Sequence, residues 1–275
     1  MDYSLLFKII LAVILVVGIY YLNKWLNGTD DLQDLVIYSN SSPGLLAMSP
    51  IPTVFAASSL PPLYGGGEFS VSTWIYITNW GVNKGQNKVF LTLSGGSKAY
   101  STLVMYLGQN INKLGIRVST DSTEYSTTLD STQMTLITSG QTPYSDTASD
   151  FKKCDIDTVD IQRWVNITAV LSGRTLDIYM DGKLSRSCVL GGLYKVDGDT
   201  PSLSLGGPSG FGGYIGQTRG ANYAYSPDQV YLNYLNGPNN VSLLSQILGI
   251  FGITKVPTLP TIPSVSVTAP TVTFN

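Results

Sequence analysis

Histidine, glutamate, paired aspartates and cysteine are the positions where chemistry would sit in this sequence. Histidine is absent, which removes imidazole general bases, Ser–His and Cys–His nucleophile systems and histidine-ligated metals. The only glutamates are Glu68 and Glu124. Glycoside hydrolysis needs two carboxylates flanking the scissile bond, and no strand here sets paired acids two residues apart with a glutamate partner. Asp155 and Asp157 fall in a predicted loop. Asp197-Gly198-Asp199 reads as a turn, where Asp and Gly are favoured for backbone reasons. A hard-cation site needs about six oxygens, so no ligand set is named. Cys154 and Cys188 lack the Cys-x-x-Cys spacing of a redox pair. The expectation is a protein that is not an enzyme, with no catalytic, cofactor-binding or metal-binding residues.

The remaining candidates concern binding. Trp80, Tyr100, Tyr106, Tyr223 and Tyr225 are available for stacking on sugar rings, and the sequence does not sort them from core residues. Asn27, Asn40, Asn166 and Asn240 begin Asn-x-Ser/Thr triplets. Such triplets arise readily by chance in a chain rich in Asn, Ser and Thr, and Asn166 alone falls on a predicted wet strand face. Charged residues make up 12% of the 275, against about 25% in ordinary domains. The net charge is −2 and no long basic run is present, so nucleic acid is not an expected partner. Ser, Thr, Gly, Asn and 17 Tyr supply the polarity instead, which suits surfaces that pack against neighbours and equally suits ordinary all-β domains.

The elements that would position these residues are strands. Residues 163–188 alternate apolar and polar side chains about a Ser172-Gly173-Arg174 turn and an Asp181-Gly182 turn. Asp-Gly readily supplies the positive φ of a tight hairpin. Val165, Ile167, Ala169 and Leu171 share one face with Leu176, Ile178 and Met180. Asn166, Thr168, Asp177, Tyr179 and Asp181 fall on the other. The period of two predicts an antiparallel sandwich sheet packed on one side and wet on the other. Further strands are predicted at 69–77, 88–94, 101–107, 113–119, 184–190 and 214–218, with short ones at Leu35–Tyr38 and Met134–Ile137. Ser226-Pro227-Asp228-Gln229 has the residues of a capping box with Pro at the first helical position, predicting a helix to about Leu235 that stops at Gly237-Pro238.

Leu5 to Leu22 is apolar except for Lys8. At ~1.5 Å per residue, about 20 residues span the ~30 Å hydrocarbon layer. Tyr20, Tyr21, Lys24 and Trp25 form an interfacial belt. A transmembrane helix is expected, the competing forms being a cleaved signal peptide or a buried core helix. The domain reading is therefore an anchor (1–26), a connector (27–64), a sandwich (65–238), an apolar helical segment (239–255) and an extended Pro/Thr-rich tail (256–275).

Trp164-Val-x-Ile-x-x-Val-Leu171 followed by Leu176-Asp-Ile-Tyr-Met-Asp-Gly-Lys-Leu184 resembles the central hairpin of concanavalin A-like sandwiches, the laminin-G and pentraxin group. Glu68–Ile77, Asn112–Thr120 and Phe211–Gln229 resemble its early, middle and closing strands. The resemblance implies an all-β antiparallel jelly roll with a short helix after the last strand. With the N-terminal segment, the chain is also similar to membrane-anchored, laminin-G-like minor capsid proteins of large icosahedral DNA viruses of algae. That likeness implies a non-enzymatic virion protein at the inner face of the capsid, tying the internal membrane, through residues 5–26, to capsid or other membrane proteins. The alternative is a glycan-binding protein at a cell or virion surface. A cysteine pair is similarly placed in the resembled viral group, implying a Cys154–Cys188 disulfide. Two free buried thiols remain the other reading.

Overall fold

The computed structural model describes residues 15, 18, 32–39, 43–65, 67–95, 100–121, 128–141, 154–196 and 200–239. One sheet is formed by β1 (Asp34–Tyr38), β2 (Leu45–Leu46), β4 (Glu68–Asn79), β10 (Trp164–Ser172), β11 (Thr175–Met180), β12 (Lys183–Val189) and β15 (Gly212–Ala221). Its order is β1-β15-β4-β10-β11-β12, with β2 also paired to β15. The second sheet holds β3 (Thr53–Phe55), β5 (Lys88–Ser94), β6 (Tyr100–Leu107), β7 (Leu114–Val118), β9 (Leu129–Asp130) and β14 (Leu203–Leu205). Its order is β3-β14-β5-β6-β7, with β9 on β6, and a ribbon of β8 (Thr120–Asp121) and β13 (Leu193–Tyr194) lies apart. Every pairing of these strands is antiparallel.

The central hairpin has the predicted register, with Ile167 opposite Met180, Ala169 opposite Ile178 and Leu171 opposite Leu176. Asp181 and Gly182 both take positive φ, 50° and 75°, as the tight turn before β12 requires. The inward residues of β4, β10 and β11 meet Leu91, Leu93, Leu103, Met105, Leu114, Ile116 and Val118 of the other sheet in one buried core. Each such side chain contributes roughly 1.5–3 kcal/mol by leaving water.

Strands β1, β2 and β3 all come from residues 27–64, expected to be a connector. Each is hydrogen-bonded into the sandwich, β1 and β2 on β15 and β3 on β14. Met134–Ile137, expected as a strand, lies in helix α1 (Ser131–Thr138), whose cap is the Asp130 carboxylate accepting from the Gln133 N–H at 2.9 Å. Met134 and Ile137, one turn apart, pack on Val104 and Tyr106 on the outer face of the second sheet. A lone short strand there would leave its ladder groups unpaired, whereas a capped helix satisfies them internally.

The outer face of the first sheet is likewise covered. Helix α2 (Pro227–Leu235) begins with the predicted capping box, Ser226 Oγ accepting from the Gln229 N–H and Gln229 Oε1 from the Ser226 N–H. Val230 and Tyr225 pack on Val170 and Tyr179, and Tyr234 stacks on Trp74 at 5.5 Å. The expectation of a wet face is corrected accordingly. Asn166, Thr168 and Tyr179 are buried, and the Asn166 amide donates to Ser72 Oγ at 3.1 Å while its oxygen accepts from Thr168 Oγ1. Asn166 is therefore an internal hydrogen-bonding residue with no room for a glycan.

Residues 1–26, expected to cross a membrane, lie outside the described residues except Leu15 and Gly18, and among the described residues no helix is long and apolar enough to do so. The apolar segment and the tail, residues 241–275, also lie outside them. Asn166→Ala should lower the unfolding free energy by about 1–3 kcal/mol, because Ser72 and Thr168 lose a buried partner. Urea titration of the wild type and the variant measures it.

Candidate functional site

Alternation along β6 and β7 builds a cleft on the outside of the second sheet. Leu103, Met105 and Leu107 point inward, so Val104 and Tyr106 point outward. In register, Tyr106 stands opposite Gly115 and Val104 opposite Arg117. A Cβ at Gly115 would lie 2.3 Å from the Tyr106 ring, so only glycine lets that ring lie flat across β7. The Arg117 guanidinium sits 5.4 Å from the ring centroid, a cation–π distance.

Asp155 faces Arg117 as a fork. Arg117 Nη1 donates to Oδ1 at 2.6 Å and Nη2 to Oδ2 at 3.3 Å, and both side chains are nearly solvent-free. Lys113 Nζ reaches Oδ2 at 2.6 Å with a third of its side chain exposed. Two features hold Asp155 here. Cys154, the preceding residue, is disulfide-bonded to Cys188 with the Cα atoms 5.7 Å apart. Ile156, the following residue, exchanges two backbone hydrogen bonds of 2.9 Å with Leu114. The disulfide implied by the resemblance is thus present, and it helps carry a loop carboxylate to the sheet.

The turn between β6 and β7 and the end of α1 complete the walls. The cleft measures about 410 Å³ and is lined by Asn87, Gln109, Asn110, Ile111 and Gln141 around Tyr106 and the three charged residues. Asn87 ties its floor to α1, donating to the Ile137 carbonyl at 2.8 Å. Behind the wall, the fully buried Lys88 donates to the carbonyls of Gln86, Gly108 and Gln109 at 3.3–3.4 Å and lies 4.5 Å over the Trp80 ring. Burial lowers the Lys88 pKa. Burial also pushes the Tyr106 hydroxyl up to about 12, with Arg117 opposing and Asp155 adding, so at neutral pH Tyr106 is a neutral hydrogen-bonding group.

Of the predicted aromatics, Tyr106 lines this cleft, Trp80 covers Lys88, and Tyr223 and Tyr225 pack with the α2 cluster. Tyr100 lies under Lys195, 5.3 Å from its Nζ. Glu68 is at the start of β4, accepting from Ser172 Oγ and the Ala224 N–H. Asp157 is exposed, 3.9 Å from Arg186. Glu124 and Asp197–Asp199 lie outside the described residues. Among the described residues, no three carboxylate or cysteine side chains converge as metal ligands. Asn87, Gln109, Lys113, Arg117 and Gln141 were not singled out from the sequence. The Tyr106–Gly115 and Arg117–Asp155 relations are made only by strand register.

Two antiparallel sheets packed on one core, with a closing helix, define an all-β sandwich domain. Residues 54–231 match the laminin-G model of the concanavalin A-like lectin/glucanases superfamily, and the chain belongs to that superfamily. Among solved structures, it is similar to the binding domain of botulinum neurotoxin DC in complex with SialylT, at 12% identity and a TM-score of 0.44. It is also similar to the botulinum neurotoxin serotype D binding domain, at 14% identity and a TM-score of 0.45. In both cases 74% of this chain covers 46% of the other, so the match spans about half the length of those structures. No curated protein matches the sequence.

Asp155→Asn should cost about 3–5 kcal/mol of stability, the usual loss when one partner of a buried ion pair is neutralised. Lys113→Gln should cost no more than about 1 kcal/mol, since that cation is partly solvated. Thermal and urea unfolding of the two variants tests the contrast.

Proposed function

We propose that this chain is a non-enzymatic, membrane-tethered binding protein whose sandwich takes a saccharide in the Tyr106–Arg117–Asp155 cleft. The cleft itself carries the reading. Its volume of about 410 Å³ lies within the ~300–1,000 Å³ of small-molecule sites. Asn87, Gln109, Asn110 and Gln141 offer amide donors and acceptors that match sugar hydroxyls. The site is mounted on two strands of a packed sheet, which keeps it ordered before a ligand arrives. Lys113 and Arg117 are both tied to Asp155, and Tyr106 stays protonated, which suits recognition and leaves no proton-transfer pair among the described residues.

The apolar run Leu5–Leu22 supplies the tether in this proposal. Deleting residues 1–26 should abolish co-flotation of the protein with phosphatidylcholine vesicles while leaving its urea transition unchanged. A truncated protein that still floated would remove the tether from the reading.

A glycan array probed with the full chain tests the site. Specific signals are expected, and Gln141→Trp, at an exposed position on the rim, should abolish them without unfolding the sandwich. Undiminished binding by that variant would place the site elsewhere.

A second reading is a structural protein of a virion that links an internal membrane to the capsid shell. It is favoured by the exposed apolar side chains Leu46, Met48, Ile51 and Val54 along one edge segment, a feature of surfaces that meet other proteins. A wild-type chain silent on the array would favour it over the saccharide reading.

A further inference from the structure

A fully buried lysine stands behind the cleft. Lys88 starts β5, opposite Leu107 of β6. Among the described residues no carboxylate pairs with it, and burial lowers its pKa. A buried ammonium without an anion opposes folding, and an unbranched apolar side chain could fill the same space. The contacts of Lys88 show what it does instead. Its Nζ donates to the carbonyls of Gly108 and Gln109, each at 3.3 Å, and to that of Gln86 at 3.4 Å. Gly108 and Gln109 begin the turn between β6 and β7, so the ammonium fastens one wall of the cleft from behind.

The side chain of Gln109 is fitted to the opposite wall. Gly140 lies two residues past the end of α1 with a φ of +78°, and a Cβ there would be 1.9 Å from Gln109 Oε1. Gln109 thus occupies space that only a glycine leaves open. It is partly buried, yet among the described residues no protein group is hydrogen-bonded to its carboxamide. A donor and an acceptor held side by side, and not engaged within the protein, match two neighbouring sugar hydroxyls.

Given that the cleft binds saccharide, we propose that Gln109 is a recognition residue whose carboxamide bridges two neighbouring hydroxyls, and that Lys88 and Gly140 are the positioning residues that hold it there.

The test measures binding of the strongest array ligand by the full chain and by single and double variants. Gln109→Ala should weaken binding about tenfold, the share of two neutral hydrogen bonds, with an unchanged urea midpoint. Lys88→Met, which keeps an unbranched side chain and removes the ammonium, should weaken it by a similar factor while the sandwich stays folded. Gly140→Ala, whose added methyl displaces the Gln109 oxygen, should do the same. Either change added to Gln109→Ala should cause little further loss, because each acts through Gln109. Wild-type binding by Gln109→Ala would overturn the inference and leave the saccharide reading standing. Additive losses in the double variants would overturn the positioning roles. A Lys88→Met chain that does not fold would overturn the role of Lys88 and make it a structural residue. No signal from the wild type would overturn the saccharide reading and this inference with it.

Discussion

The packing of two antiparallel sheets against each other is the constraint on which the rest of this structure depends. A core about 10 Å thick forms only if the inward side chains of both sheets interdigitate, and here they are the Val, Ile, Leu and Met residues of β4, β10, β11, β5, β6 and β7. Once that parity is set, every alternate residue is committed to an outer face, because a slip of one residue would turn the whole apolar set outward. The outer faces are where the two helices and the cleft are found. Helix α2 roofs one sheet over Trp74, Val170 and Tyr179. Helix α1 roofs part of the other and leaves Tyr106 and Arg117 at the bottom of an opening.

The cleft joins three kinds of constraint. Strand register places Tyr106 over Gly115 and Arg117 beside it. A covalent link and a backbone bridge bring Asp155 from a loop to meet the guanidinium. In the loop-entropy account, a disulfide closing a loop of this kind adds roughly 3–4 kcal/mol, and here it also fixes the position of a charge. A buried ion pair is weak support for stability by itself. Here it sets the polar surface of the cleft in one geometry.

Much of the scaffold was legible. The central hairpin, its Asp181-Gly182 turn and the Ser226–Gln229 capping box read directly, because each depends on residues close in sequence. Met134–Ile137, expected as a strand, lies in helix α1, although Asp130 three residues before Gln133 is a start signal of the same kind as the box at α2. Strands β2, β3 and β14 are two or three residues long, too short to show a period, and only their pairing partners define them. The wet face was misjudged because alternation reports that a face is polar, whereas Asn166 and Thr168 are polar and buried, satisfied by Ser72 and each other.

The sequence by itself determined the period-two pattern, the sheet core, the turn chemistry, the closing helix and the superfamily, since these follow from local alternation and capping. It also limited the catalytic chemistry by omitting histidine and nearly omitting glutamate. Only the tertiary structure decided which polar residues are buried, which aromatic lines a cleft, and that Asp155 meets Arg117 and Lys113. Those outcomes depend on contacts between residues far apart in the chain, such as Asp155 and Arg117, 38 positions apart. Their distances are set by sheet register and disulfide closure, and no local pattern of residues encodes them.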